Sequence, residues 1–193
     1  MTAENEMLQQ IFRATEKLIA QYGVHQLSMQ KIAKEAGIAA GTIYIYIYFK
    51  SKEELLQRLA FDLFQRFQTC VNKGINPDLP LFQQYRQMWW NLWHWLHANP
   101  QVILTMNQYR ALPDFYNIIE ECLNITDDAW HCLTEKGKQS GEIADLHPDI
   151  LFSLSLESAI NMAEKDLHLR MKSDEQDLEK IIQHSWNAIL PLS

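Results

Sequence analysis

Turn-forming residues are scarce in this sequence. Six glycines and six prolines serve 193 residues, and they fall between long periodic runs. That argues against a fold of many short strands joined by tight turns and favours an all-helical one. Cysteine is scarce as well. Three cysteines and a polar N-terminus without an apolar leader point to a reducing compartment, without structural disulfides. No uninterrupted run of about 18 uncharged apolar residues occurs, so no membrane span is expected. The expected location is the cytoplasm. Positive charge is in deficit, with a formal net charge of −7. A uniformly acidic chain makes a poor nucleic-acid partner, but this one is not uniform. Residues 1–60 hold seven Lys and Arg against six Asp and Glu, a net of +1, and residues 61–193 hold ten against eighteen, a net of −8. Contact with DNA, if made, belongs to the first quarter of the chain.

What is present is a large apolar fraction, 47%, beside 21% charged residues, enough to bury a core. Ile11, Phe12, Thr15, Leu18, Ile19 and Tyr22 recur at three and four, predicting a helix from about Glu4 to Tyr22 that Gly23 stops. Ser28 suits the cap of a second helix carrying Met29, Ile32, Ala33 and Ala36. Gly37 fits the corner after it, and a third helix begins near Ala39. Ser51-Lys52-Glu53-Glu54 is a capping box opening a helix that runs to about Asn72. Further helices are expected over Pro80–His97, Gln101–Arg110, Phe115–Leu123, Thr126–Ser140, Pro148–Met171 and Asp174–Leu190, the last opened by a second capping box at Ser173.

Residues 11–58 resemble the head of TetR/AcrR-type transcriptional regulators. The resemblance is carried by Ile11, Ala14, Leu18, Tyr22-Gly23, Ser28-Met29, Ile32-Ala33, Ala36-Gly37-Ile38, Gly41-Thr42-Ile43-Tyr44 and Tyr48-Phe49-Lys50-Ser51-Lys52-Glu53-Glu54-Leu55. It implies an all-α chain: a three-helix helix-turn-helix head at residues 1–52, joined to a larger helical ligand-binding and dimerisation domain at 53–193. It also implies DNA contacts at Ser28, Thr42, Tyr44 and Lys52. The residue types agree, since hydroxyls and a lysine at helix starts position a recognition helix on phosphates without reading bases. The remaining DNA-facing candidates are Ala39, Ala40, Gly41, Ile45, Tyr46 and Tyr48.

Two features depart from the pattern. Ala39-Ala40 stands where a polar cap is usual, and alanine reaches little more than a thymine methyl. Secondly, the family spacing Gly-Thr-(Leu/Ile)-Tyr-x-Tyr-Phe is stretched, because Ile-Tyr occurs three times in succession over residues 43–48. Two extra helical residues add about 3 Å and 200°. Either Ile47 takes the core slot of the phenylalanine and Tyr48-Phe49 become surplus, or Phe49 keeps that slot and the excess is absorbed before it. The i,i+4 relation of Ile43 and Ile47 favours the first.

Beyond Leu59 only the order of helices fits. Trp89, Trp90, Trp93 and Trp95 crowd one helix, as a core stripe or as the wall of a chamber for a flat, greasy ligand. Phe64, Met88, Trp89, Trp93, Met106, Tyr109, Phe115 and Trp130 are the candidate lining, and Glu157 or Glu164 facing it would favour a cationic lipophile. His94 and His97 lack a third metal ligand at helical spacing, and Cys122 and Cys132 match no metal motif. No nucleophile–base, phosphate-loop or metal constellation supports an enzyme, and no cofactor is expected. The last two helices are amphipathic and suit a homodimer that would present two heads to a palindrome. The resemblance therefore implies a repressor that binds a double-stranded operator and is released by a small hydrophobic or cationic effector. The alternative is a dimeric sensor of small molecules or thiol oxidants whose DNA binding is altered by the extra Ile-Tyr.

Overall fold

The computed structural model describes residues 3–38, 48–112, 117, 128–169 and 171–192. Among the described residues every regular element is a helix. They are α1 (Ala3–Tyr22), α2 (Met29–Glu35), α3 (Lys52–Val71), α4 (Leu81–Ala98), α5 (Gln101–Arg110), α6 (Ala129–Ser140), α7 (Pro148–Leu154), α8 (Glu157–His168) and α9 (Glu175–Asn187), with a 3₁₀ turn at Val24–Gln26. The chain packs as two compact units, Met1–Gln65 with Gln101–Asn124, and Arg66–Pro100 with Ile125–Ser193.

In the first unit α1 packs against α2 and α5. Its periodic stripe is the buried one: Ile11, Phe12, Leu18 and Ile19 lie inside, while Tyr22 is exposed. Gly23, at φ 78°, donates its N–H to the Ile19 carbonyl at 2.9 Å and ends the helix. Gly37, at φ 66°, makes the corner after α2. Tyr109 on α5 donates its hydroxyl to the Leu56 carbonyl at 2.7 Å. Burial pushes the Tyr109 phenol up, and the nearby Glu16 carboxylate adds to the effect.

In the second unit α4 is the central element, with α8, α6 and α9 packed on it. Tyr85, Met88, Trp89 and Leu92 on α4 have no exposed surface. Their polar ends are satisfied by small hydroxyls. Tyr85 shares a 2.7 Å hydrogen bond with Ser185, and the Trp89 indole donates to Ser158 at 2.8 Å. Burial raises the Tyr85 phenol to about 12, with the Ser185 bond opposing. Glu179 on α9 accepts two hydrogen bonds from the Arg86 guanidinium and one from the Trp90 indole, at 3.0 Å. The Arg86 bond, chiefly, holds the Glu179 carboxyl below its usual range.

Three helix boundaries differ from expectation. The helix expected over Pro148–Met171 divides into α7 and α8 at Ser155, whose hydroxyl donates back to the Leu151 carbonyl at 2.5 Å. The helix expected from Thr126 is capped instead by Asp128, which accepts from the His131 N–H at 2.8 Å. Asp174, rather than Ser173, caps α9 through the Asp177 N–H at 2.8 Å. Aspartate outcompetes because an ionised acceptor also meets the positive end of the helix.

Gly137 on α6 is buried, and a Cβ there would collide with the Ile143 side chain. Gly137→Ala is therefore expected to destabilise the fold by about 1–3 kcal/mol, as a drop in the urea midpoint at unchanged slope. A gain in stability, as for an ordinary glycine-to-alanine change in a helix, would show that the site has slack.

Candidate nucleic-acid interface

The interface candidates fall on two helix starts and the stretch between them. Ser28 is exposed, extended in backbone (φ −137°), and its hydroxyl accepts from the Lys31 N–H at 3.3 Å, so it caps α2. Lys31 also donates its ammonium to the Gln26 carbonyl at 2.9 Å, which fixes the short turn leading into that cap. Lys52 is the first residue of α3 and half-buried. Ala39, Ala40, Gly41, Thr42, Tyr44, Ile45 and Tyr46 lie outside the described residues.

The start of α3 is built tightly. Ser51 accepts from the Glu54 N–H at 3.2 Å, and Glu54 reaches back to the Lys50 N–H at 2.7 Å, one residue before the usual position in a capping box. Backbone N–H and then the Ser51 hydroxyl hold the exposed Glu53 carboxyl below its usual range. Phe49 is 1% exposed and packs on Phe12 with ring centroids 6.1 Å apart. This overturns the favoured reading in which Phe49 is surplus: it occupies the core. The Arg58 guanidinium lies 4.9 Å from the centre of the Phe49 ring and donates to the Tyr48 carbonyl at 3.0 Å. Arg58 is a residue the sequence reading missed. No periodic signal links positions nine apart across a helix start.

The candidate effector lining is spread over both units. Phe64, Met106 and Tyr109 belong to the first, Met88, Trp89, Trp93 and Trp130 to the second, and Phe115 lies outside the described residues. Within the second unit Trp89 stacks on Trp93 at 5.7 Å, and the Trp130 indole donates to the Pro148 carbonyl at 3.3 Å. Glu157 and Glu164 are half-buried. His94 stacks on Trp90, whereas His97 lies against Trp93 and bonds Asp166 at 3.0 Å, so the two histidines have separate partners. Among the described residues no group of three His, Cys, Asp or Glu is placed to hold a metal.

Comparison with known proteins decides the family. The family model for bacterial regulatory proteins of the tetR family matches residues 11–59, and that for the tetracyclin repressor-like C-terminal domain matches residues 80–190. The chain belongs to the TetR family. It is 42% identical over 187 residues, 97% of each chain, to an uncharacterised HTH-type transcriptional regulator of Haemophilus influenzae. It is 33% identical over 144 residues, 70% of each chain, to the fatty acid metabolism regulator protein of Bacillus subtilis. A solved TetR-family regulator of H. influenzae superposes with a TM-score of 0.88 at 40% identity, covering 98% of this chain and 99% of its own. A putative TetR-family regulator of Vibrio parahaemolyticus gives 0.81 at 34% identity, covering 96% and 100%.

The protein is thus an all-α TetR-family helix-turn-helix transcriptional regulator, and its relatives are regulators and not enzymes. Regulators of this family bind DNA and small-molecule effectors and usually act as dimers. Among the described residues no helix is long and apolar enough to cross a membrane.

The two described cysteines differ sharply. Cys132 is exposed; Cys70 is buried, and its thiol donates to the Asn91 carbonyl at 3.1 Å. Burial raises the Cys70 thiol to about 11, with the Lys73 charge opposing. At neutral pH it stays protonated, and only thiolate reacts. Iodoacetamide at pH 7.5 is expected to label Cys132 and leave Cys70 unmodified in peptide mass mapping. Equal labelling of both would contradict this placement.

Proposed function

We propose that this protein is a dimeric, cytoplasmic repressor that holds a palindromic operator and releases it when a small hydrophobic or cationic effector binds. The proposed DNA-binding domain is residues 1–52 and the ligand-binding and dimerisation domain is 53–193. Dimerisation runs through the last two helices. In this reading Ser28, Thr42, Tyr44 and Lys52 position the head on phosphates, while Ala39, Ala40, Gly41, Ile45, Tyr46 and Tyr48 complete the groove-facing surface. The effector is proposed to be held by aromatic and sulfur-bearing side chains drawn from the candidates Met88, Trp89, Trp93 and Trp130 of the second unit.

The observation that carries the reading is the family match over residues 11–59, together with the two capped helix starts at Ser28 and Ser51 that flank the recognition segment. A hydrophobic effector is supported by the aromatic α4 and by the relative named for fatty acid metabolism at 33% identity. A regulator of similar fold from B. subtilis, 24% identical with a TM-score of 0.74, has been solved in complex with stearoyl-CoA, which makes that compound the first to try. The sensor reading with weakened DNA binding gains nothing from Cys70, whose thiol is held in the unreactive form.

The test is a mobility-shift titration on the DNA upstream of the protein's own gene, with and without stearoyl-CoA. Specific binding that weakens about 5–150-fold on saturation is expected from the usual size of allosteric coupling. Binding that is absent, or indifferent to every hydrophobic and cationic compound tried, contradicts the reading. A second variant addresses the stretched segment. Deleting Ile45-Tyr46 restores the family spacing and is expected to change operator affinity, because it shortens the segment that leads to the core-anchored Phe49 by two residues. Unchanged affinity would show that the extra pair plays no part at the interface.

A further inference from the structure

A groove of about 900 Å³ runs along the second unit between the end of α3 and the end of α4. Arg66, Lys73 and His94 line it, and no aspartate or glutamate does. This is an unusual composition in the part of the chain that carries a net of −8. The negative end of α3 would normally cancel such a cluster. Here Asn91 removes much of that effect, donating its amide to the Val71 carbonyl at 3.3 Å and the Lys73 carbonyl at 2.7 Å. The Lys73 charge also makes itself felt on the groove floor, where it opposes the upward shift of the buried Cys70 thiol.

The aromatic part of the groove is held in place too. Trp95 is half-buried, with its ring set edge-on to Phe67 at 6.4 Å, and His94 is stacked on Trp90 at 5.3 Å. The cations therefore border a fixed flat surface. A guanidinium carries five donors, so Arg66 can serve the groove while keeping its other interactions. Cations around a flat aromatic ring match a ligand that joins phosphate to a planar base.

We propose that this groove binds a nucleotide group, with its phosphates against Arg66, Lys73 and His94 and its base against Trp95. The group could arrive as a free nucleotide or as the nucleotide end of an activated acyl chain, and both present the same chemistry. The proposal requires nothing of the DNA interface.

Calorimetric titration of the full-length protein with ADP, coenzyme A and stearate tests it. At least one of the two nucleotides should bind at up to millimolar concentration, and Lys73→Glu should weaken that binding about tenfold or more while leaving any stearate binding unchanged. Lys73 is exposed, so the variant should fold, and His94→Gln gives an independent second reading of the same site. Binding of ADP assigns the groove to free nucleotides; binding of coenzyme A alone assigns it to the acyl-carrier source. Failure of both to bind, or equal affinity in wild type and both variants, overturns the proposal. The same samples are tested on upstream DNA. DNA binding without nucleotide binding sinks the groove and spares the regulator; nucleotide binding without DNA binding does the reverse.

Discussion

The burial of Phe49 against Phe12 is the constraint on which the DNA-binding head depends. It pins the chain immediately before α3 to α1, and the Arg58 guanidinium lies over the same ring. The Ser51 cap and the Glu54 return bond then start α3 at a fixed point. Because this end is held by the core, the extra Ile-Tyr has to be accommodated between Gly37 and Tyr48. The stretch departs from the family spacing before Phe49 and meets the core at Phe49.

The second unit rests on a different device. α4 is aromatic enough to bury its whole inner face, yet Tyr85, Trp89 and Trp90 each carry a polar atom that would be costly to bury alone. Ser185, Ser158 and Glu179 supply the partners from α8 and α9. The helices proposed to form the dimer are therefore registered against α4 by specific hydrogen bonds and not only by apolar contact. Such registration suits an element whose position has to be read at a distance, since it allows few alternative packings.

Much of this was legible in local chemistry. Ser28 as a cap, Gly23 and Gly37 as corners, and the helix Gln101–Arg110 follow from residues that act on their immediate neighbours. The misreadings share a cause. Whether Ile47 or Phe49 fills the core depends on Phe12, thirty-seven residues earlier, and no local rule weighs that contact. The break at Ser155 depends on a serine turning its hydroxyl inward, where its periodicity reads as uninterrupted helix. The aromatic residues of α4 stand out in the sequence, but their polar partners, up to a hundred residues away, do not. Short motifs carry the family resemblance only as far as about residue 59. The match over residues 80–190 shows that the later helices also follow a known pattern, one too divergent for short motifs to reveal.

In the proposed function an acidic protein grips DNA through its slightly basic first quarter, with Lys52 at the start of α3 on a phosphate. The most direct measurement is the salt dependence of affinity for upstream DNA, in wild type and Lys52→Gln. Log K is expected to fall linearly with log salt concentration, and the substitution to lower the slope by about 0.9 for each phosphate no longer neutralised. Affinity that does not respond to salt, or a slope identical in the two proteins, would contradict it.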